Sequence, residues 1–224
     1  MPALPPHPAH DDLRRRWAAT VAAATGRTPD ASSPAPDRYA DELLRRWTEP
    51  QRRYHTTDHL AAVLDRVDAL AEYADDVHLV RLAAWFHDAV YLPQRSTNEE
   101  RSARLAERTL TELGVDRERT EEVSRLVLLT RDHTARDDDA NGTVLCDADL
   151  AILASPADAY ARYAAAVREE YGFVPDDVYR AGRSDVLRRL LGLPRLFRTP
   201  YGQRHWEGAS RRNMAGELER LQRA

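Results

Sequence analysis

A histidine and an aspartate stand side by side in a stretch that is otherwise apolar. The pair is His87-Asp88, between Phe86 and Ala89. Burial of a charged carboxylate is costly unless the group is paired or binds a metal, and imidazole nitrogens and carboxylate oxygens are common ligands of divalent metals. A metal site is the leading interpretation. The alternative is a packed histidine beside an aspartate that accepts a backbone hydrogen bond.

Further candidate ligands lie on both sides of this pair. His59 opens a segment whose apolar residues recur at three and four positions, the helical period. Asp147 and Asp149 interrupt a later apolar segment, and either carboxylate can reach the same place. His55 lies four residues before His59, a spacing that puts both on one helical face. Without a third local ligand this pair is a weak metal signal, so His55 is predicted to contact substrate or begin the helix.

Helical periodicity extends over nearly the whole chain, and no segment alternates as a β-strand does. The sequence therefore predicts an all-α fold, with His87 and Asp88 in the last turn of a helix. Residues 26–34 and 130–142 are predicted loops, because they are rich in polar residues or proline. The predicted helices cover residues 12–25, 36–47, 57–70, 77–90, 98–113, 117–129, 144–153, 156–171, 175–191 and 203–221.

Composition limits the class of protein. With 224 residues, 42% of them hydrophobic, the chain can form one large domain, since single cores grow to about 250 residues. We predict a disordered, proline-rich segment at residues 1–10 and one domain over 11–224. The formal net charge of −4 argues against a general nucleic-acid or membrane-surface binder.

Cysteine content and hydropathy bear on location. The single cysteine, Cys146, excludes an internal disulfide and a thiolate zinc cluster, and suits a reducing compartment. No apolar run reaches the roughly 18 residues that a membrane span needs, and the first residues do not resemble a signal peptide. The sequence thus predicts a cytoplasmic protein; its oligomeric state stays open.

The order of the candidate ligands, His, then His-Asp, then Asp, resembles the HD-domain superfamily of metal-dependent phosphohydrolases. Residues 53–60, 84–88 and 147–150 carry this likeness, over about residues 50–155. Residues 84–91, 98–103 and 207–214 extend it toward a poorly characterised branch of that superfamily. The resemblance implies a helical HD bundle with additional N- and C-terminal helices.

The resemblance also implies roles for single residues. It makes His59, His87, Asp88 and Asp149 the metal ligands, and it favours Asp149 over Asp147 because an apolar residue follows closely. Asp147 then becomes either a residue that supports the ligands from behind or a substrate contact. Glu99, at the start of the next helix, is the predicted second catalytic carboxylate beside Asp88. The cofactor would be one divalent ion, with Mn, Co, Ni, Fe, Zn and Mg undistinguished and a second ion left open.

The reaction that such a site supports is hydrolysis of a small phosphorylated molecule, with a nucleotide among the candidates. Arginines beside the motifs are predicted phosphate donors, because the guanidinium fork fits phosphate oxygens in pairs. His133, in the polar loop before the last ligand, is predicted to bind phosphate or a second metal. The predicted substrate-binding set is Arg53, His55, Arg131, His133 and Asp147, with Arg52 a further candidate donor.

Two other functions remain open at this point. One is a di-iron oxygenase on the same scaffold, for which His55, Glu99 or His133 would have to supply extra ligands. The other is a module that keeps the fold and metal but only binds a nucleotide. A set of polar residues in the C-terminal part is also compatible with a pocket lining or with ordinary helix packing: Tyr160, Tyr163, Arg168, Glu170, Tyr171, Gly182 and Arg183.

Overall fold

The computed structural model describes residues 7–26 and 36–223. Within these ranges all regular structure is helical, so the predicted all-α fold is confirmed. Of the segment predicted to be disordered, residues 1–10, the first six lie outside the described residues, as does most of the predicted loop at 26–34; residues 7–10 are described, and His10 is already helical. The helices of the described chain are α1 (His10–Thr25), α2 (Pro36–Trp47), α3 (Thr57–Ala69), α4 (Val77–Phe86), α5 (Asn98–Glu112), α6 (Arg117–Leu129), α7 (Ala140–Leu150), α8 (Ala157–Glu170), α9 (Asp176–Leu191), α10 (Pro200–His205) and α11 (Glu207–Arg223).

α4 is the centre of the first hydrophobic core. Its residues from Leu79 to Phe86 are almost all buried, and a helix that is apolar all round belongs in the interior of a bundle. Asp76 begins the helix, since its carboxylate accepts hydrogen bonds from the backbone amides of His78 and Leu79. Helices α1, α3, α5, α6 and α7 pack around it. The apolar residues predicted for α3 are buried on the face that contacts α4 and α7.

A second, smaller core lies between the C-terminal helices. It contains Tyr160, Leu187, Phe197 and Met214, and Trp206 packs against both cores. The prediction of one domain over residues 11–224 stays a prediction. None of the described helices is long and apolar enough to cross a bilayer.

Three predicted boundaries were wrong for local reasons. α4 ends at Phe86, so Asp88 lies in the turn after the helix rather than in its last turn. α7 begins at Ala140, inside the predicted loop, because Asp139 accepts a hydrogen bond from the Gly142 amide and caps it. The predicted helix over 203–221 is two helices that meet at Trp206.

The first of those two helices has its own start signal. Thr199 caps α10 by accepting a hydrogen bond from the amide of Gly202, and Pro200 occupies the first turn. Both signals lie before residue 203, so the helix begins earlier than its apolar pattern alone indicates.

Candidate metal centre

Three side chains from three parts of the first core converge at one point. They are His59 from the first turn of α3, His87 from the end of α4, and Asp149 from α7. The Nε2 atoms of the two histidines are 3.3 Å apart. Asp149 Oδ1 lies 3.2 Å from His59 Nε2 and 3.7 Å from His87 Nε2. One ligand atom from each residue lies within 4.8 Å of the others, a grouping that can hold a metal ion.

One backbone contact fixes the tautomer of His87 in this cluster. His87 Nδ1 is 2.7 Å from the carbonyl oxygen of Ala84; because a carbonyl only accepts, Nδ1 must carry the hydrogen, and in the neutral ring Nε2 presents a lone pair. Burial lowers the pKa of His59. Burial alone would raise the pKa of Asp149, but His87, His133 and His59 hold it well below its usual range.

Two nitrogen ligands and a carboxylate oxygen around one point are a donor set that a divalent cation fits. The hydrogen bond from His87 to Ala84 is of the kind that fixes the orientation of a metal-binding imidazole. Trp47 from α2 lies beside both rings, with centroids 5.4 Å from that of His87 and 6.2 Å from that of His59. The cluster is therefore rigid and shielded on that side.

Asp88 reaches the edge of this cluster from the turn after α4. Its Oδ2 atom is 3.4 Å from His87 Nε2 and 3.8 Å from His55 Nε2. It is not one of the three residues that meet at the common point. Its carboxylate lies beside that point without belonging to the group, and its ligand role stays a prediction.

Glu170, the last residue of α8, fastens the loop that precedes α3. Its Oε1 accepts hydrogen bonds from the consecutive amides of Arg53, Tyr54 and His55 at 2.8, 2.9 and 3.0 Å. Its Oε2 is 2.6 Å from His55 Nδ1 and 2.9 Å from the hydroxyl of Tyr91. Glu170 thereby turns His55 Nε2 toward Asp88.

The charges of this contact stabilise each other. Burial alone would raise the pKa of Glu170, but the His55 imidazole and the amides of Arg53 and His55 bring it down to about 2. Burial opposes the charged form of His55, yet Asp88 and Glu170 outweigh it and raise the pKa of that imidazole. A buried carboxylate with every bonding position filled is strongly anchored.

Arg52 has a structural role that differs from the predicted one. Its buried guanidinium donates hydrogen bonds to the carbonyl oxygens of His55 and Asp88, both at 2.8 Å. It also lies over the ring of Trp47, 5.1 Å from the centroid. The arginine joins the loop before α3 to the turn after α4, and it does not line the cavity described below.

The polar segment after α6 contributes a histidine in an unusual conformation. His133 has a φ of 56°, in the left-handed region that non-glycine residues rarely adopt. Its Nε2 atom is 2.8 Å from Asp149 Oδ2, so it holds the second oxygen of that carboxylate. Strained backbone of this kind concentrates at functional sites.

A cavity of about 600 Å³ opens onto this cluster. Glu99 and Arg131 line it near the candidate ligands, and Arg131 forms an ion pair of 2.8 Å with Glu100. Its other side comes from α8, α9 and the turn between them. The volume is within the range of small-molecule sites, about 300–1,000 Å³.

Two predicted substrate residues do not reach this cavity. Arg53 is exposed, and its guanidinium donates to the carbonyl oxygens of Pro50 and Arg52. Asp147 is buried on another face of α7, where its carboxylate accepts hydrogen bonds from the amides of Arg198 and Thr199 and from the Thr199 hydroxyl. Its geometry is that of a structural anchor for α10, which replaces the predicted substrate contact.

The remaining predicted residues do come together. His55, His87, Asp88, Glu99, Arg131, His133 and Asp149 all line the cavity, and His59 lies beneath it. Of the C-terminal polar set, Tyr163, Tyr171, Gly182 and Arg183 line the cavity as well. Sequence reasoning missed the part played by Glu170, because no spacing rule connects a residue to a loop more than 100 positions away.

The chain matches no protein-family model, no curated protein and no solved structure. The geometry of the site and the order of its residues in the chain are therefore the two grounds for a function.

Proposed function

We propose that this protein is a metal-dependent phosphohydrolase of the HD type, which cleaves a small phosphorylated molecule with water. The observation that carries the proposal is the convergence of His59 Nε2, His87 Nε2 and Asp149 Oδ1 at the base of a cavity. The order of these residues in the chain, with Asp88 beside His87, is the order of the HD pattern. Together they support a hydrolytic rather than a purely structural role.

A divalent ion bound at these residues would lower the pKa of water and polarise a phosphoryl oxygen. The surrounding residues would bind the phosphate and hold the candidate ligands in place. Arg131 faces the cavity and can donate to the phosphate oxygens. His133 keeps Asp149 oriented through the 2.8 Å contact to its second oxygen.

Two carboxylates are available for proton transfer. Asp88 faces the cavity between His55 and His87, and it would accept the proton of the attacking water. Glu99, in the first turn of α5, also lines the cavity, and it would protonate the oxygen of the leaving alcohol. The phosphorus–oxygen bond breaks to give inorganic phosphate and the alcohol, and each proton has a defined acceptor.

The first experiment measures metal content and turnover in three purified proteins. These are the parent, Asp88→Ala, and the control Asp177→Ala, which removes an exposed carboxylate of α9. Each is tested against nucleotides and simple phosphoesters with Mn, Co, Ni, Mg or Fe added. We expect stoichiometric metal and phosphate release in the parent and the control, and a loss of turnover in Asp88→Ala.

Other results would redirect the proposal. A parent that binds metal but hydrolyses none of the substrates would favour a binding module. Two irons per chain would favour the oxygenase alternative. A parent that binds none of the ions would overturn the metal site itself.

A further inference from the structure

The cavity has a second half that differs in character from the metal-binding half. α9 contributes Val178, Gly182 and Val186 to it, which are four residues apart and so lie on one face of the helix. Val178 is 55% exposed and Val186 is 37% exposed. On the other side of α9, Ser184 and Leu187 are buried. Val178 and Val186 thus keep a large part of their surface uncovered by the other described residues.

Aromatic rings and further valines complete this surface, which we call the apolar wall. Tyr163 comes from α8, and Tyr179 comes from α9. The guanidinium of Arg183 lies over the Tyr163 ring and that of Arg168 over the Tyr179 ring, 5.4 and 4.6 Å from the centroids. The rings therefore add apolar carbon surface to the lining. The apolar wall consists of Tyr163, Val167, Tyr171, Val174, Val178, Tyr179, Gly182 and Val186.

Gly182 leaves space in the middle of the apolar wall. A Cβ atom built at this glycine would have no neighbour within 4 Å. The gap is therefore part of the cavity and is not filled by packing. Because Gly182 lines the cavity, a leucine at this position would take up part of that open space.

Charge also separates the two halves. The structure describes α8 and α9 in full, and Arg183 is the one charged residue among their cavity-lining residues. Its guanidinium donates two hydrogen bonds to the buried carboxylate of Glu217, at 2.8 and 3.0 Å. This half is consequently neutral. The opposite half holds the carboxylates of Asp88, Glu99 and Asp149, which suit a cation.

We propose that the apolar wall binds an uncharged, apolar ring in the organic part of the substrate, so that the preferred substrates are phosphomonoesters of ring-bearing apolar alcohols. The inference rests on the proposed function for the phosphate end. A ring on this wall removes valine and tyrosine surface from water, which is favourable. A phosphorylated polyol would bury hydroxyl groups against valines, which is costly without partners.

The test compares binding of two phosphonates that cannot be hydrolysed, 1-naphthylmethylphosphonate and methylphosphonate, by calorimetry on the metal-loaded protein. We expect the naphthyl compound to bind the parent at least tenfold more tightly. In Gly182→Leu, which fills the gap, we expect the two compounds to bind about equally tightly. The matched control is Gly208→Leu, at an exposed helical glycine of α11 outside the cavity, and it keeps the advantage.

A second variant guards against a folding defect in the first. Val178→Ser changes an exposed residue of the same wall, and we expect it to reduce the advantage about threefold. Equal binding of the two phosphonates by the parent would overturn the inference. So would tighter binding of a polyol phosphonate, or an unchanged advantage in both Gly182→Leu and Val178→Ser.

Failure of the proposed function is distinguishable from failure of this inference. If no phosphonate binds and no phosphoester is cleaved, the phosphohydrolase proposal fails. The neutral alcohol 2-naphthol then tests the apolar wall by itself, since it needs no metal. Its binding by the parent and its loss in Gly182→Leu would support the wall, and no binding by the parent would reject it.

Discussion

The helices before residue 151 and those after residue 156 contribute unlike things to one cavity. The earlier helices contribute the candidate ligands, Asp88 and Glu99, and a net acidic surface. The later helices contribute valines, tyrosines and a neutralised arginine, together with Glu170, which holds the loop before α3. The candidate metal-binding and acid–base residues thus come from the first group, and most of the apolar lining comes from the second. Variants of either group test this separation, and the largest effects are expected at the candidate ligands.

Asp147 and Asp149 are two residues apart on α7 but have different contacts. Asp149 belongs to the candidate metal group, whereas Asp147 binds the backbone just before α10 in the later group. We expect Asp149→Asn to lose stoichiometric metal and to lower kcat/KM at least about 100-fold, since even changes behind a metal ligand cost about 10–100-fold. Asp147→Asn should keep the metal but lower the free energy of unfolding by about 1–3 kcal/mol, because buried donors lose their acceptor. Elemental analysis and urea unfolding measure both. If a folded Asp147→Asn loses the metal and Asp149→Asn keeps it, Asp147 is the metal ligand and Asp149 is not.

Glu170→Gln weakens the contact between the two groups of helices. The carboxyl has an ordinary pKa of 4.5 that falls to about 2 in the folded protein, so its charged form contributes about 3 kcal/mol above pH 4.5 by linkage. Because the folded pKa is the lower one, this contribution is lost as the pH falls from about 4.5 toward 2. Urea unfolding should therefore show a gap between parent and variant at pH 6 that narrows in acid.

The neighbouring residue provides the control for that prediction. Glu169 is exposed and makes one ion pair of 3.6 Å with Arg53, so Glu169→Gln should follow the parent at every pH. A constant gap between the parent and Glu170→Gln from pH 6 into acid would contradict a charged Glu170 in the folded protein.

Two helical glycines of the later group should respond in opposite directions to alanine. A Cβ at Gly202 would lie 2.8 Å from both Asp147 Oδ2 and Phe197 Cβ, and overpacking of this kind costs about 1–3 kcal/mol. Gly182 has open space, so Gly182→Ala should gain up to about 1 kcal/mol from helix propensity. Thermal unfolding compares them. Equal changes in both would mean that the space at Gly182 is filled.

The smallest predicted effect concerns two arginines that the sequence treats alike. Arg131 lines the cavity and Arg53 does not. Arg131→Ala should raise KM for the substrate by about three- to tenfold, in keeping with one hydrogen bond to a charged group, part of which Glu100 now occupies. Arg53→Ala should leave KM within about twofold. Steady-state kinetics with any phosphoester that the protein hydrolyses measures both KM values. A larger increase in KM for Arg53→Ala than for Arg131→Ala would mean that the phosphate binds outside this cavity.

The features that could be predicted were those that depend on residues close together in the sequence. The all-α fold followed from helical periodicity, and α3 and α4 are buried where their apolar residues required. His59, His87 and Asp149 stand out in the sequence because polar residues in apolar helices need partners, and their order resembles the HD pattern. The structure brings these three side chains together.

The unpredictable part depends on contacts between distant residues. Glu170 and the amides of residues 53–55 meet only when α8 packs beside the loop before α3. Arg52 and Asp147 looked like substrate residues because they are charged and close to the motifs. Their partners are backbone groups of other elements, which nothing in the neighbouring sequence identifies.

The position of Glu170 in the chain has a consequence for synthesis on the ribosome. All the candidate ligands are translated before it, so a nascent chain can hold the complete ligand set while the amides of residues 53–55 still lack their carboxylate. On the nascent chain the candidate ligands therefore come before the helices that close the cavity.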